Sequence, residues 1–108
     1  MTENATGKRK VDIVFNSIVG KRLKSLRKAR NMSQSKLAEA CGITFQQIQK
    51  YEMGINSLTL RRAALACKVL GVDVNYLTYD VLNEAKRIRY AAATSDSTTT
   101  EVNNVERN

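Results

Sequence analysis

Apolar positions along this chain return at intervals of three and four, in separate runs divided by polar turns. The first run is Val11, Val14, Phe15, Ile18, Val19, Leu23, Leu26 and Ala29. Asp12 is placed to cap it, and Asn31 to stop it in a left-handed conformation. Gly20 leaves two versions open: one helix from Asp12 to Arg30, or a short helix, a bend and a longer helix from about Ser17. The next run, Leu37, Ala38 and Cys41, follows the N-cap residue Ser33 and ends at Gly42, which has no Cβ to oppose a left-handed turn. Thr44 then opens a helix that needs only Ile48 and Tyr51 to hold it down, and Thr44 with Gln47 has the capping-box spacing. Met53-Gly54-Ile55-Asn56-Ser57 reads as a loop. Thr59 caps a helix from Leu60 to Leu70 whose inward stripe is Leu60, Ala63, Ala66, Cys67 and Leu70, and Gly71 ends it. The small residues of that stripe predict close helix–helix approach. Asp73 caps a further helix with Val74 and Leu77 inward, and Val81, Leu82, Ala85 and Ile88 extend the period.

No strand alternation interrupts these runs, so the pattern predicts an all-α fold, a compact bundle of about five helices with an extra C-terminal helix. Residues 1–11, with the cluster Gly7-Lys8-Arg9-Lys10, have nothing to bury and read as a flexible basic arm. Residues 12–78 form the domain, with the helix-turn-helix at 33–52. Residues 79–93 make the additional helix, and the Ser/Thr/Asn-rich segment 94–108 reads as a disordered tail.

Charge adds the partner. The chain of 108 residues carries a formal net charge of +8, which favours an anionic partner such as nucleic acid. Histidine is absent and the two cysteines, Cys41 and Cys67, fall on apolar helix faces. This predicts no zinc site and free buried thiols, as in a reducing cytoplasm. Without histidine, paired acids or a glycine-rich phosphate loop, the chain lacks the material of an enzyme, and no cofactor is expected. No apolar run reaches the roughly 20 residues of a membrane span.

The stretch Ser33–Glu52 carries the chemistry. At about 100° per residue, Ile48 and Tyr51 point about 60° apart and define the inner side of their helix. The opposite direction falls between Gln46 and Lys50, with Gln49 near one edge and Phe45 beyond it. A glutamine can pair bidentately with adenine N6 and N7, a lysine can donate to guanine or phosphate, and a phenyl edge suits a thymine methyl. The candidate base contacts are therefore Phe45, Gln46, Gln49 and Lys50. Three consecutive basic residues in the leader suggest an arm that tracks phosphates.

Gly20-Lys21-Arg22-Leu23, Leu26-Arg27, Met32-Ser33-Gln34, Leu37-Ala38, Gly42-Ile43, Ile48, Tyr51-Glu52, Gly54 and Leu70-Gly71-Val72 resemble the Cro/Xre family of phage repressors and bacterial regulators. The resemblance covers roughly Ile18 to Leu77. It implies a lambda-repressor-like bundle that binds DNA as a dimer through the third helix. It further implies that Gln34 lies at the groove edge, Thr44 approaches phosphate, and Asn56, Ser57, Arg61 and Arg62 surround a loop that meets the sugar–phosphate backbone. Arg27 and Glu52 stand where relatives carry an interhelical ion pair. Phe45 departs from the family, since many relatives have a polar residue there, and so do Ala63 and Ala66, where relatives often use Leu or Ile.

Half-site binding is weak, and operator reading needs two recognition helices about 34 Å apart. Val81, Leu82, Ala85 and Ile88 fit either a helix that caps the core or, with Leu77, a homodimer seam, and the seam is the reading preferred. The function expected is a cytoplasmic, homodimeric repressor of double-stranded DNA operators, with a regulatory protein partner as one route of control. An antitoxin or a restriction–modification controller would use the same domain. A protein-interaction adaptor that has lost DNA reading is the competing class; Gln46, Gln49 and Lys50 argue against it.

Overall fold

The computed structural model describes the backbone of residues 2–92 and the side chains of residues 10–92; the tail 94–108 and the side chains of Gly7 to Arg9 lie outside the described residues. Among the described residues the secondary structure is helical throughout, with no strand. The order is α1 (Thr2–Ala29), α2 (Gln34–Cys41), α3 (Phe45–Glu52), α4 (Leu60–Leu70) and α5 (Asn75–Thr78), followed by a helical stretch at 81–92, α6. α2 packs on α3 and α4, and α1 packs on α3 and α5.

Side-chain caps begin three of these helices. Ser33 Oγ accepts from the Lys36 amide at 3.0 Å, Thr44 Oγ1 from Gln47 at 3.1 Å and Thr59 Oγ1 from Arg62 at 3.1 Å. Each satisfies an otherwise orphaned donor and stabilises its helix by about 1 kcal/mol. Gly42 and Gly71 end α2 and α4 at φ 68° and 76°. The core they enclose takes Val19, Leu23 and Leu26 from α1, Leu37 and Ala38 from α2, and Ile48 and Tyr51 from α3. α4 adds Ala63, Ala66, Cys67 and Leu70, and the C-terminal elements add Leu77, Val81 and Ala85. Cys41 and Cys67 are unpaired. Burial pushes both thiols up from their ordinary value, and the Asp73 charge adds to the effect at Cys67.

Four expectations need correction. α1 begins at Thr2, not Asp12, so the leader read as a flexible arm continues the helix. Gly20 does not bend it. A Cβ there would press on the Tyr51 carbonyl and stand 2.7 Å from the Glu52 carbonyl oxygen, so the glycine permits close approach to α3. Leu60 is 80% exposed. It shares the angle of the inward stripe, but it is the first residue of α4 and overhangs the end of the bundle. There it lines, with Phe15, Val19, Leu58 and Ala63, a cleft of about 470 Å³.

The fourth correction concerns the proposed dimer seam. Leu77, Val81 and Ala85 have no exposed surface within the single chain, so they belong to its core and cannot also line a seam between copies. Asp80 explains the misreading. It takes φ 57°, a conformation that Asp tolerates better than most residues, and ends the periodicity of α5 so that α6 starts on a new axis. Arg22 fills the break, donating to the Tyr79 carbonyl at 2.9 Å and the Tyr76 carbonyl at 3.4 Å and pairing with Glu84 at 3.2 Å. Leu82 at 58% and Ile88 at 46% remain on the outside. Asp73 does serve the start of α5, accepting from the Asn75 amide at 2.8 Å.

Candidate nucleic-acid interface

α2, the turn at Gly42 and α3 present one surface. The α3 residues Ile48 and Tyr51 are buried, while Phe45, Gln46 and Lys50 are exposed and Gln49 is half-buried. The helical angles required this division, because one face of an eight-residue helix suffices to anchor it. Phe45 is 38% exposed and is not among the apolar side chains packed against the core. Thr44 sits at the helix start, its hydroxyl engaged in the cap.

Glu52, the carboxylate of α3, is removed from this surface. Its side chain is 2% exposed and is bound in fork geometry by Arg27, Nε to Oε2 at 2.6 Å and Nη2 to Oε1 at 3.0 Å. Arg27 also donates from Nη1 to the Met32 carbonyl at 2.7 Å, which ties α1 to the turn before α2. With its charge neutralised inside, Glu52 does not repel an approaching polyanion. The ion pair that the family resemblance implied is therefore present, buried and bidentate, a geometry stronger than an exposed pair.

Other candidates have acquired partners. Gln34 Nε2 donates to Glu52 Oε1 at 2.9 Å, so the ion pair claims one of its polar ends and fixes the first residue of α2 to the last of α3. Ser57 Oγ donates to Asn16 Oδ1 at 2.9 Å, anchoring the loop after α3 to α1. Asn56 borders the cleft. Arg61 is exposed. Arg62 is half-buried, and its Nη1 donates to the Tyr51 hydroxyl at 2.6 Å.

Sequence reasoning missed these last bonds. Polar residues at 34, 57 and 62 signal only that some partner is needed, and either a neighbour or DNA can supply it. Lys36, Lys50 and Arg61 are the exposed cations of the helix-turn-helix and of the start of α4. Among the described residues no cluster of His, Cys, Asp and Glu could hold a metal ion, and no helix is long and apolar enough to cross a membrane.

The profile of the helix-turn-helix family matches residues 23–77. An uncharacterised HTH-type transcriptional regulator of Sinorhizobium fredii is 37% identical over 86 residues, covering 80% of this chain and 60% of that protein. A second, from Rickettsia conorii, is 38% identical over 81 residues, covering 73% and 64%. The chain thus spans about three fifths of the length of the curated relatives it matches. Among solved structures, the restriction-modification controller protein C.AhdI of Aeromonas hydrophila matches with a TM-score of 0.55 at 27% identity, over 61% of this chain and 96% of that one. The clp gene regulator ClgR of Corynebacterium glutamicum matches with a TM-score of 0.56 at 28% identity, over 67% and 88%.

Proposed function

The chain belongs to the helix-turn-helix family of Cro/Xre type, and from that membership we propose that it is a sequence-specific regulator that reads the major groove of double-stranded DNA. The observation that carries this reading is the division of α3. Ile48, Tyr51 and the neutralised Glu52 lie inside, and Phe45, Gln46 and Lys50 face out with no acidic side chain among them. In this reading Gln46 pairs with an adenine, Lys50 donates to a guanine or a phosphate, and Phe45 meets a thymine methyl, with Gln49 at the edge. Thr44, Arg61 and the amides at the starts of α2, α3 and α4 meet the backbone.

The protein acts as a homodimeric repressor, because two copies must place their α3 helices one DNA turn apart. Leu82 and Ile88, the outward residues of the former seam, are what remains for a second copy to cover. The resemblance to C.AhdI favours a second version of the same function, the controller of a restriction–modification pair.

A mobility-shift titration on the DNA flanking its own gene, with random-sequence competitor, tests the proposal. Retarded complexes should survive competitor that removes binding to an unrelated duplex. Equal affinity for both duplexes would overturn sequence-specific reading and return the adaptor class to the front.

A further inference from the structure

The C-terminal end of α3 has one fastening that the reading of DNA has not used. Tyr51 is 2% exposed on the inner side of the helix. Its hydroxyl accepts a 2.6 Å hydrogen bond from Arg62 Nη1, in the first turn of α4. A guanidinium donor at that distance makes a charge-assisted bond, and among the described residues Arg62 has no carboxylate partner. The tether matters because α3 has only eight residues. A rotation of about 10° about its axis carries a side-chain tip about 6 Å away through about 1 Å, enough to spoil a bidentate pair with a base. Ile48 resists translation of the helix into the core but gives little purchase against rotation. A polar bond at the rim of the Tyr51 ring resists rotation directly.

We propose that Arg62 is a positioning residue for base readout, acting through the Tyr51 hydroxyl to fix the angle at which α3 enters the groove. This rests on the DNA-binding reading above and reassigns Arg62 from the phosphate-contacting set to the mounting of the helix. It also gives the ring of Tyr51 and its hydroxyl separate duties. The ring fills the core, and the hydroxyl serves recognition.

The test uses a duplex enriched from a randomised pool by the wild-type protein, a scrambled duplex of equal length, and the variants Tyr51→Phe, Arg62→Gln and their combination. Tyr51→Phe keeps both the buried ring and the Arg62 charge. It should weaken binding to the enriched duplex about tenfold while leaving affinity for the scrambled duplex and the salt dependence unchanged. Arg62→Gln should give a similar loss, and the double variant should be no worse than either single one. Wild-type affinity for the enriched duplex in Tyr51→Phe would overturn the proposal, even if that variant melted lower, since the bond would then be structural alone. An Arg62→Gln variant that binds both duplexes more weakly, with a log–log salt slope shallower by about 0.9, would also overturn it, by showing a phosphate contact. If the wild-type protein enriches no duplex, the DNA-reading function itself fails, a result distinguishable from either.

Discussion

Gln46 leaves α3 opposite the buried Ile48, is exposed, and among the described residues its side chain has no hydrogen-bond partner to lose. Gln46→Ala should cost about 1–3 kcal/mol of operator binding and relax the preference at one base pair, with the melting temperature unchanged. Quantitative footprinting on single-base operator variants checks it. Glu52 behaves oppositely. Glu52→Ala strands the Arg27 guanidinium in a site that is 9% exposed, and should destabilise the fold by about 3–5 kcal/mol in urea unfolding. Replacing both partners with apolar residues of similar volume should recover much of that loss, because what costs most is the unpaired charge. The sequence told these two residues apart by angle and by family position. It did not disclose that Gln34 would complete the ion pair, since a glutamine satisfies a carboxylate and a phosphate equally well.

The helices were legible wherever their signals are local. Ser33, Thr44 and Thr59 each cap a helix through a hydroxyl within three residues of its partner amide, so spacing alone found them. Gly20 was not legible, because its reason lies far along the chain, in the Tyr51 and Glu52 carbonyls. Two effects compete at that position. Gly20→Ala should gain about 1 kcal/mol of helix propensity but force apart two backbones, where overpacking costs about 1–3 kcal/mol or more. Since neither carbonyl is the end of a flexible side chain, the clash should win, and thermal unfolding should show a lower melting temperature.

Asp80 separates α5 from α6 by adopting a left-handed conformation without being glycine. Its carboxylate accepts from Asn83 Nδ2 at 3.0 Å and from Arg87 at 3.2 Å. The Asn83 bond first and the Arg87 bond second hold it below its ordinary value of 3.8. A carboxylate depressed on folding contributes stability that is present above the unfolded value and lost as pH falls through the folded one. The attachment of α6 should therefore loosen as pH falls below about 3.8, and Asp80→Asn should remove that acid dependence. Amide exchange at Val81 and Ala85 would report it.

For the whole molecule the dominant quantity is the net charge of +8, beside an outward face of α3 that carries no free carboxylate. If each monomer meets about four to six phosphates, its log–log salt slope should be about −0.9 per phosphate. Removing residues 1–10 should lower affinity and flatten that slope if the basic leader tracks the backbone; unchanged binding by the truncated protein would end that idea. Sedimentation at several concentrations decides whether copies pair before they meet DNA, and Leu82→Glu should weaken any pairing through the outer face of α6. That face could not be separated from the core in the sequence, because Val81, Leu82, Ala85 and Ile88 read as a continuation of the α5 period, which the chain breaks at Asp80 before any of them. One further consequence follows from the mounting of α3. It is held through backbone carbonyls at Gly20, through Glu52 and through Tyr51, and through none of the side chains at 45, 46, 49 or 50. Under the proposed function, drift at those four positions would thus alter which operators are recognised while folding stayed within tolerance. A duplicated copy of this chain could acquire a new regulon before it acquired a new fold.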